Sequence, residues 1–191
     1  MKVLKGSAIL DYVRIIRANP DKNWDRWLTP EDWEIIHSKI LPSQRYPYET
    51  FRNLGFAVFK EIAGGDLNVA RQFGRFTMKN WIEIYRSSIL EPGDPLRSLE
   101  KLALIRRKFM DIENETKVGE HGPDWVRYQI IHYTDEPDEE RKLAYVYQMA
   151  GQLEEVVAQA GGQNPSTTIS PIPGGHEILV KWTPAATAAS E

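Results

Sequence analysis

Apolar side chains return every three or four residues from Ser7 to Asp111, the period of helices with one buried face. From Glu113 the spacing shortens to two, lengthens again between Asp138 and Ala160, and shortens once more toward the end. The first region predicts a helix over Ser7–Ala18, closed by Asn19 and Pro20, and a second from Thr29 and Pro30 through Trp33, Ile36 and Ile40 to Pro42. A third, from Pro47 to Ala63, carries Phe51, Leu54, Val58 and Ile62 along one side and stops at Gly64 and Gly65. Leu67–Leu90, with Asp66 as its N-cap, is so apolar outside one polar stripe that it predicts a central helix wrapped by its neighbours. Gly74 within it offers a place for another backbone to approach. Asp94 and Pro95 open a fifth helix bearing Leu99, Leu102 and Ala103, with Arg106, Arg107 and Lys108 expected at its carbonyl end, where cations are favoured.

Beyond this helix, Glu113–Val118 and Asp124–Tyr133 predict two strands. A helix begins at the acidic run Asp138–Glu140 and ends at Gly161–Gly162, and Thr167–Ile172 and His176–Trp182 predict a hairpin around Pro173–Gly175. The resulting expectation is an α+β fold, an N-terminal helical bundle packed on a C-terminal ββαββ antiparallel sheet. A single domain is expected over residues 1–182, with a disordered tail over 183–191.

Composition narrows the function classes. A chain of 191 residues with 41% hydrophobic and 27% charged side chains is long enough to bury a core and too apolar to stay unfolded. Its net charge of -3 removes the basic face expected of a nucleic-acid binder. The absence of cysteine excludes disulfides, thiolate metal sites and thiol nucleophiles. The short apolar run near the start is cut by Asp11 and Arg14, which does not fit a signal peptide, and no segment predicts a membrane span. Together these features give the expectation of a cytoplasmic protein.

Five helices followed by a strand, strand, helix, strand, strand module resemble the haem nitric-oxide-binding (H-NOX) superfamily. That superfamily also includes vinyl reductase-like ligand domains, TRAPP vesicle-tethering subunits and an uncharacterised bacterial paralogous family, to which the likeness is closest. The likeness is carried by Lys5–Gly6, LPSQRYPYETF (Leu41–Phe51), DLNVARQFGR (Asp66–Arg75), DPLRSLEKL (Asp94–Leu102), AGQLEEVVAQAGG (Ala150–Gly162) and VKW (Val180–Trp182). An H-NOX domain holds haem through a histidine on the helix before the sheet; the corresponding helix here, Asp94–Asp111, has none. The family's Tyr-x-Ser-x-Arg triad falls near the second strand, where Tyr128 is followed by Gln129, Ile130, Ile131 and His132. The resemblance therefore implies an H-NOX-like chain without haem, whose relatives enclose an apolar ligand or associate in pairs.

Candidate chemistry is sparse. His37, His121, His132 and His176 show no close ligand spacing, and no nucleophile elbow, HExxH or nucleotide-binding glycine pattern is present. No cofactor, no metal and no catalytic residue is expected. Phe51, Phe73, Phe76, Trp81, Tyr85, Tyr128 and Trp182 are candidate lining for a hydrophobic pocket, against their ordinary role as core. Arg71, Arg75 and Arg86 offer either a clamp for an anionic headgroup or a solvated polar face. The expected function is a non-catalytic regulatory or sensor domain binding a small apolar ligand, acting through a homodimer or a protein partner. Its alternative is a dimeric protein-protein interaction adaptor without a small ligand.

Overall fold

The structure, a computed structural model, describes residues 2–110, 116–131 and 138–184. Strand β1 (Val3–Lys5) leads through a 3-10 turn into helix α1 (Leu10–Ala18), followed by α2 (Pro30–His37), β2 (Arg45–Pro47), α3 (Tyr48–Glu61), α4 (Leu67–Ile89) and α5 (Pro95–Met110). Strands β3 (Thr116–His121) and β4 (Trp125–Ile131), helix α6 (Glu139–Gln159) and strands β5 (Gln163–Ile172) and β6 (Gly175–Thr183) complete it. The chain folds as an α+β protein with antiparallel sheets, as the pattern predicts. The larger sheet has the order β3-β4-β6-β5, and β1 pairs with β2 in a separate ribbon. Those two three-residue strands were not expected, because so short a strand shows no alternation to read.

Local chemistry explains the boundaries. Thr29 and Asp32 form a reciprocal capping box at the start of α2, and the buried Asp32 carboxylate also accepts from Asn53 Nδ2 at 2.9 Å. Asp138 accepts from the amides of Glu140 and Arg141 at the head of α6, so the first residue of the acidic run serves as its cap. Of the expected tail, Thr183 closes β6, and residues 185–191 lie outside the described residues, as do 135–137 and His132.

Among the described residues two large hydrophobic cores, with a smaller cluster of Phe56, Phe59, Ala70 and Ala144, fill the protein. In the C-terminal core, Val126, Tyr128 and Ile130 of β4 and Ile178, Val180 and Trp182 of β6 face α6, with Tyr128 opposite Ile178 and Val126 opposite Val180 in the register. The N-terminal core joins Leu4, Ile9, Tyr12, Val13, Ile16, Ile36, Phe51 and Leu54. Partly buried Tyr145 of α6 packs against both.

The helix at the centre is α6, which corrects the expectation for Leu67–Leu90. Val146, Met149, Ala150, Leu153, Val156 and Val157 of α6 are at most 1% exposed, since the sheet covers one side and α4 and α5 the other. Burying each valine, leucine or methionine of this set contributes about 1.5–3 kcal/mol. Helix α4 instead lies on the outside and presents a narrow inner face, Ala70, Gly74, Thr77, Met78 and Ile82, while Phe76 and Ile84 are 54% and 69% exposed. Its apolar content exceeds what one face can bury. The glycine reading holds: a Cβ on Gly74 would overlap the Gln148 carbonyl, and one on Gly151 would overlap the Arg71 carbonyl, so the two backbones touch.

Candidate functional site

At the seam between the two cores a cavity of about 30 Å³ opens among α1, α3, α4, α5 and α6. Asp11, Tyr12, Phe51, Thr77, Trp81, Arg106, Tyr145, Gln148, Met149 and Gln152 line it, together with Ala8. That space admits about two waters and is far below the roughly 300–1,000 Å³ of a drug-sized pocket.

Arg106 dominates the lining. It is 6% exposed, because it lies one turn beyond Leu102 and Ala103 on the buried stripe of α5 rather than in a solvated final turn. Its Nη1 donates to Gln152 Oε1 at 3.0 Å and its Nη2 to the Tyr145 hydroxyl at 2.7 Å. Burial works against its charge, but the Tyr145 and Tyr128 hydroxyls and the Tyr145 bond outweigh it, and the guanidinium holds its proton above the ordinary value. Across the cavity the Tyr12 hydroxyl donates to Gln148 Oε1 at 2.8 Å, and burial pushes that phenol well above its usual pKa, keeping it neutral. Gln152 Nε2 donates to Thr77 Oγ1 at 3.4 Å, and Thr77 Oγ1 donates to the Gly74 carbonyl at 3.0 Å. A continuous series of hydrogen bonds thus runs from Arg106 to the turn of α4 that touches α6.

Of the aromatic residues singled out in the sequence, Phe51 and Trp81 line this cavity. Phe73 packs on Tyr12 with ring centroids 5.5 Å apart, and Phe76 stacks on Phe73 from the exposed side. Tyr85 meets Trp81 edge-on at the point where α4 leaves helical geometry. Tyr128 is enclosed in the sheet core, and Trp182 packs beside Gly162 at the far end of α6. Arg71 and Arg75 both pair with Glu154, a fully buried carboxylate of α6 that also accepts from Thr167 Oγ1 at 2.8 Å. Sequence reading places Arg106 only as a helix-end cation and does not single out Gln148 and Gln152, although each of the three is a polar residue on an otherwise buried helix face.

The lining does not suit haem. Helix α5 carries no histidine; His37 stacks on Trp33 in α2, His121 ends β3, and His176 lies in β6 opposite Ile130. Among the described residues no group of three or more histidine, cysteine or acidic side chains is placed to hold a metal, and the cavity that Arg106, Tyr145 and Trp81 leave is too small for a macrocycle.

The arrangement of a helical layer over an antiparallel sheet is shared with solved structures. An Fe(II) unliganded H-NOX protein from K. algicida superposes with a TM-score of 0.64 at 9% identity, covering 96% of this chain and 99% of that one. An oxygen-binding H-NOX domain related to soluble guanylate cyclases gives 0.61 at 13%, covering 98% and 100%. A point mutant of the T. tengcongensis H-NOX gives 0.60 at 13%, covering 96% and 100%. The chain has the H-NOX fold. No family model and no curated protein matches it in sequence. Among the described residues no helix is long and apolar enough to cross a membrane.

Proposed function

We propose that this chain is a non-catalytic, haem-less regulatory domain that senses a small molecule in the Arg106 cavity. The single observation carrying this reading is the placement of the cavity at the seam of two cores, where its polar lining connects by hydrogen bonds to the α4–α6 contact. A ligand changes a two-state equilibrium only through unequal affinity for the two packings, and a solute bonded to Gln152 or Arg106 acts on the series that ends at Gly74. The polar lining favours a polar occupant over the apolar one that the aromatic residues suggested. Native mass spectrometry of the purified chain tests the reading. A co-purifying small molecule supports it, and a strong Soret band after expression with haem precursor overturns its haem-less part.

The adaptor reading draws on a different observation. Phe76 and Ile84 of α4 and Leu104 of α5 are 54%, 69% and 55% exposed. A face of this kind is available for self-association. Light scattering that finds a stable dimer, lost in a Phe76→Glu, Ile84→Glu variant, supports the adaptor; a monomer at micromolar concentration removes it.

A further inference from the structure

The outward side of α4 carries an apolar pair and a charged pair that share one centre. Phe76 and Ile84, 54% and 69% exposed, stand two turns apart, about 12 Å along the helix. Lys79 and Glu83, both exposed, stand between them at a separation of one turn. A helix sets such positions within reach of each other, yet among the described residues neither of these two side chains has an ion-pair or hydrogen-bond partner. The apolar pair is centred on Asn80 and the charged pair on Trp81, so the two centres differ by about 1.5 Å of helix rise. All four side chains fall within about 140° of the circumference, on the side away from Ala70, Gly74, Thr77, Met78 and Ile82, which face inward.

From this arrangement we infer that a second copy of this chain covers the face, in an antiparallel α4–α4 contact centred at the level of Asn80 and Trp81. The inference rests on the adaptor reading of Phe76 and Ile84, and supplies its partner and its register. A two-fold axis through the shared centre, perpendicular to α4, lays the helix against its copy in the opposite direction. Phe76 then meets Ile84 of the second copy and Lys79 meets Glu83 of the second copy, and each contact is made twice. A parallel pairing sets Lys79 on its own copy and Glu83 on its own copy, which like charges oppose. An unrelated protein imposes no reason for the two pairs to share a centre. One helix face is a small contact, at the low end of specific interfaces below about 1,200 Å², so the dimer is reversible. Thr77 and Trp81, on the same turns of α4, line the cavity, so the contact and the cavity share one stretch of helix.

Sedimentation velocity on the full chain, over a micromolar concentration series at low ionic strength, tests the register. The wild type is expected to dimerise reversibly, and more weakly as salt is added. Lys79→Glu sets acid against acid at both charged contacts and Glu83→Lys sets base against base. Each variant alone is therefore expected to dimerise at least about tenfold more weakly. Mixing the two restores both contacts, because one chain then presents two acids and the other two bases, and the mixture is expected to recover the wild-type affinity to within about threefold. Lys79→Glu and Glu83→Lys combined on one chain are expected to recover it likewise, and this double variant serves if either single one fails to fold. A dimer that neither single reversal weakens, or a mixture and a double variant that both stay weak, overturns the inference. If such a dimer is still lost in the Phe76→Glu, Ile84→Glu variant, the adaptor reading stands and only the register falls. A wild-type chain that stays monomeric throughout the series overturns both.

Discussion

Helices α4 and α6 meet in two ways within a few turns. At Gly74 and Gly151 the backbones touch and no space remains for a single methyl group. One turn further on, Thr77 and Trp81 of α4 part from Gln148, Met149 and Gln152 of α6 around the cavity. The same helix pair is solid at one end and hollow at the other because of side-chain size and polarity. Glycine lets the backbones close until they fix the separation, whereas long amides hold space open while bonding to Tyr12, Arg106 and Thr77 across it. The closed contact is therefore the support on which the open region depends.

Removing that support is the largest perturbation available. Gly74→Ala or Gly151→Ala places a methyl group against backbone atoms that have no rotamer through which to yield. Overpacking commonly costs about 1–3 kcal/mol, and a clash with backbone belongs at or beyond the upper end of that range. The same substitution at Gly55 in α3 meets its nearest atoms, on the Tyr12 ring, at 3.4 Å, and is expected to be neutral or to stabilise by up to about 1 kcal/mol through helix propensity. Denaturant unfolding of the three variants decides the matter. Equal losses at all three positions break the contrast between closed and open regions.

Glu154 tests the closed region electrostatically. It sits one turn from Gly151, is fully buried, and meets Arg71 and Arg75, which flank Gly74 on α4. Breaking a buried pair by removing one partner costs about 3–5 kcal/mol. The arginine side chains here remain 29% and 44% exposed and can turn to water, so Glu154→Gln is expected to lose about 2 kcal/mol. A double-mutant cycle with Arg71→Met measures the pair itself. A coupling indistinguishable from zero shows that the glycines alone hold the helices together.

How far this contrast could be read from the sequence differs between its two halves. Gly74 was legible because a glycine in a strongly periodic helix has few explanations other than close approach. The ββαββ order was legible because alternating runs and glycine stops are local signals. That α4 would lie outside and α6 inside was not, since both helices are rich in apolar residues and only the sheet, a distant element, decides which one is covered on two sides. The cavity was the least visible. Arg106 was read as a helix-end cation because Arg107 and Lys108 follow it, yet its spacing from Leu99, Leu102 and Ala103 places it on their stripe. Gln148 and Gln152, four residues apart among buried neighbours, carry the same kind of signal. A polar residue on an apolar stripe was the clue, and large aromatic side chains drew attention away from it.

The hydrogen bonds that join the two regions offer a smaller test. Thr77→Val keeps the shape of the side chain while removing the donor to the Gly74 carbonyl and the acceptor for Gln152. Its expected cost is about 1 kcal/mol. If the series carries occupancy from one region to the other, amide exchange along α4 near Gly74 responds to ligand in the wild type and not in this variant; an unchanged response sinks the connection.

At neutral pH the smallest effect is that of the Tyr12 phenol, which becomes measurable only in alkali. Burial raises its pKa in the folded state above the unfolded value of about 10, so above that pH the unfolded chain releases a proton that the folded chain retains. The unfolded state then binds fewer protons, and stability falls as pH rises, by up to about 1.4 kcal/mol per pH unit for this one group, until the folded pKa is reached. Below about pH 10 both states hold the proton and the contribution is constant. Tyr12→Phe is expected to flatten the alkaline limb between about pH 10 and 11 relative to wild type, beyond its constant loss of the Gln148 bond. Parallel limbs in the two proteins mean that water reaches the phenol in the folded state, and the cavity wall is then more open than the 4% exposure of Tyr12 implies.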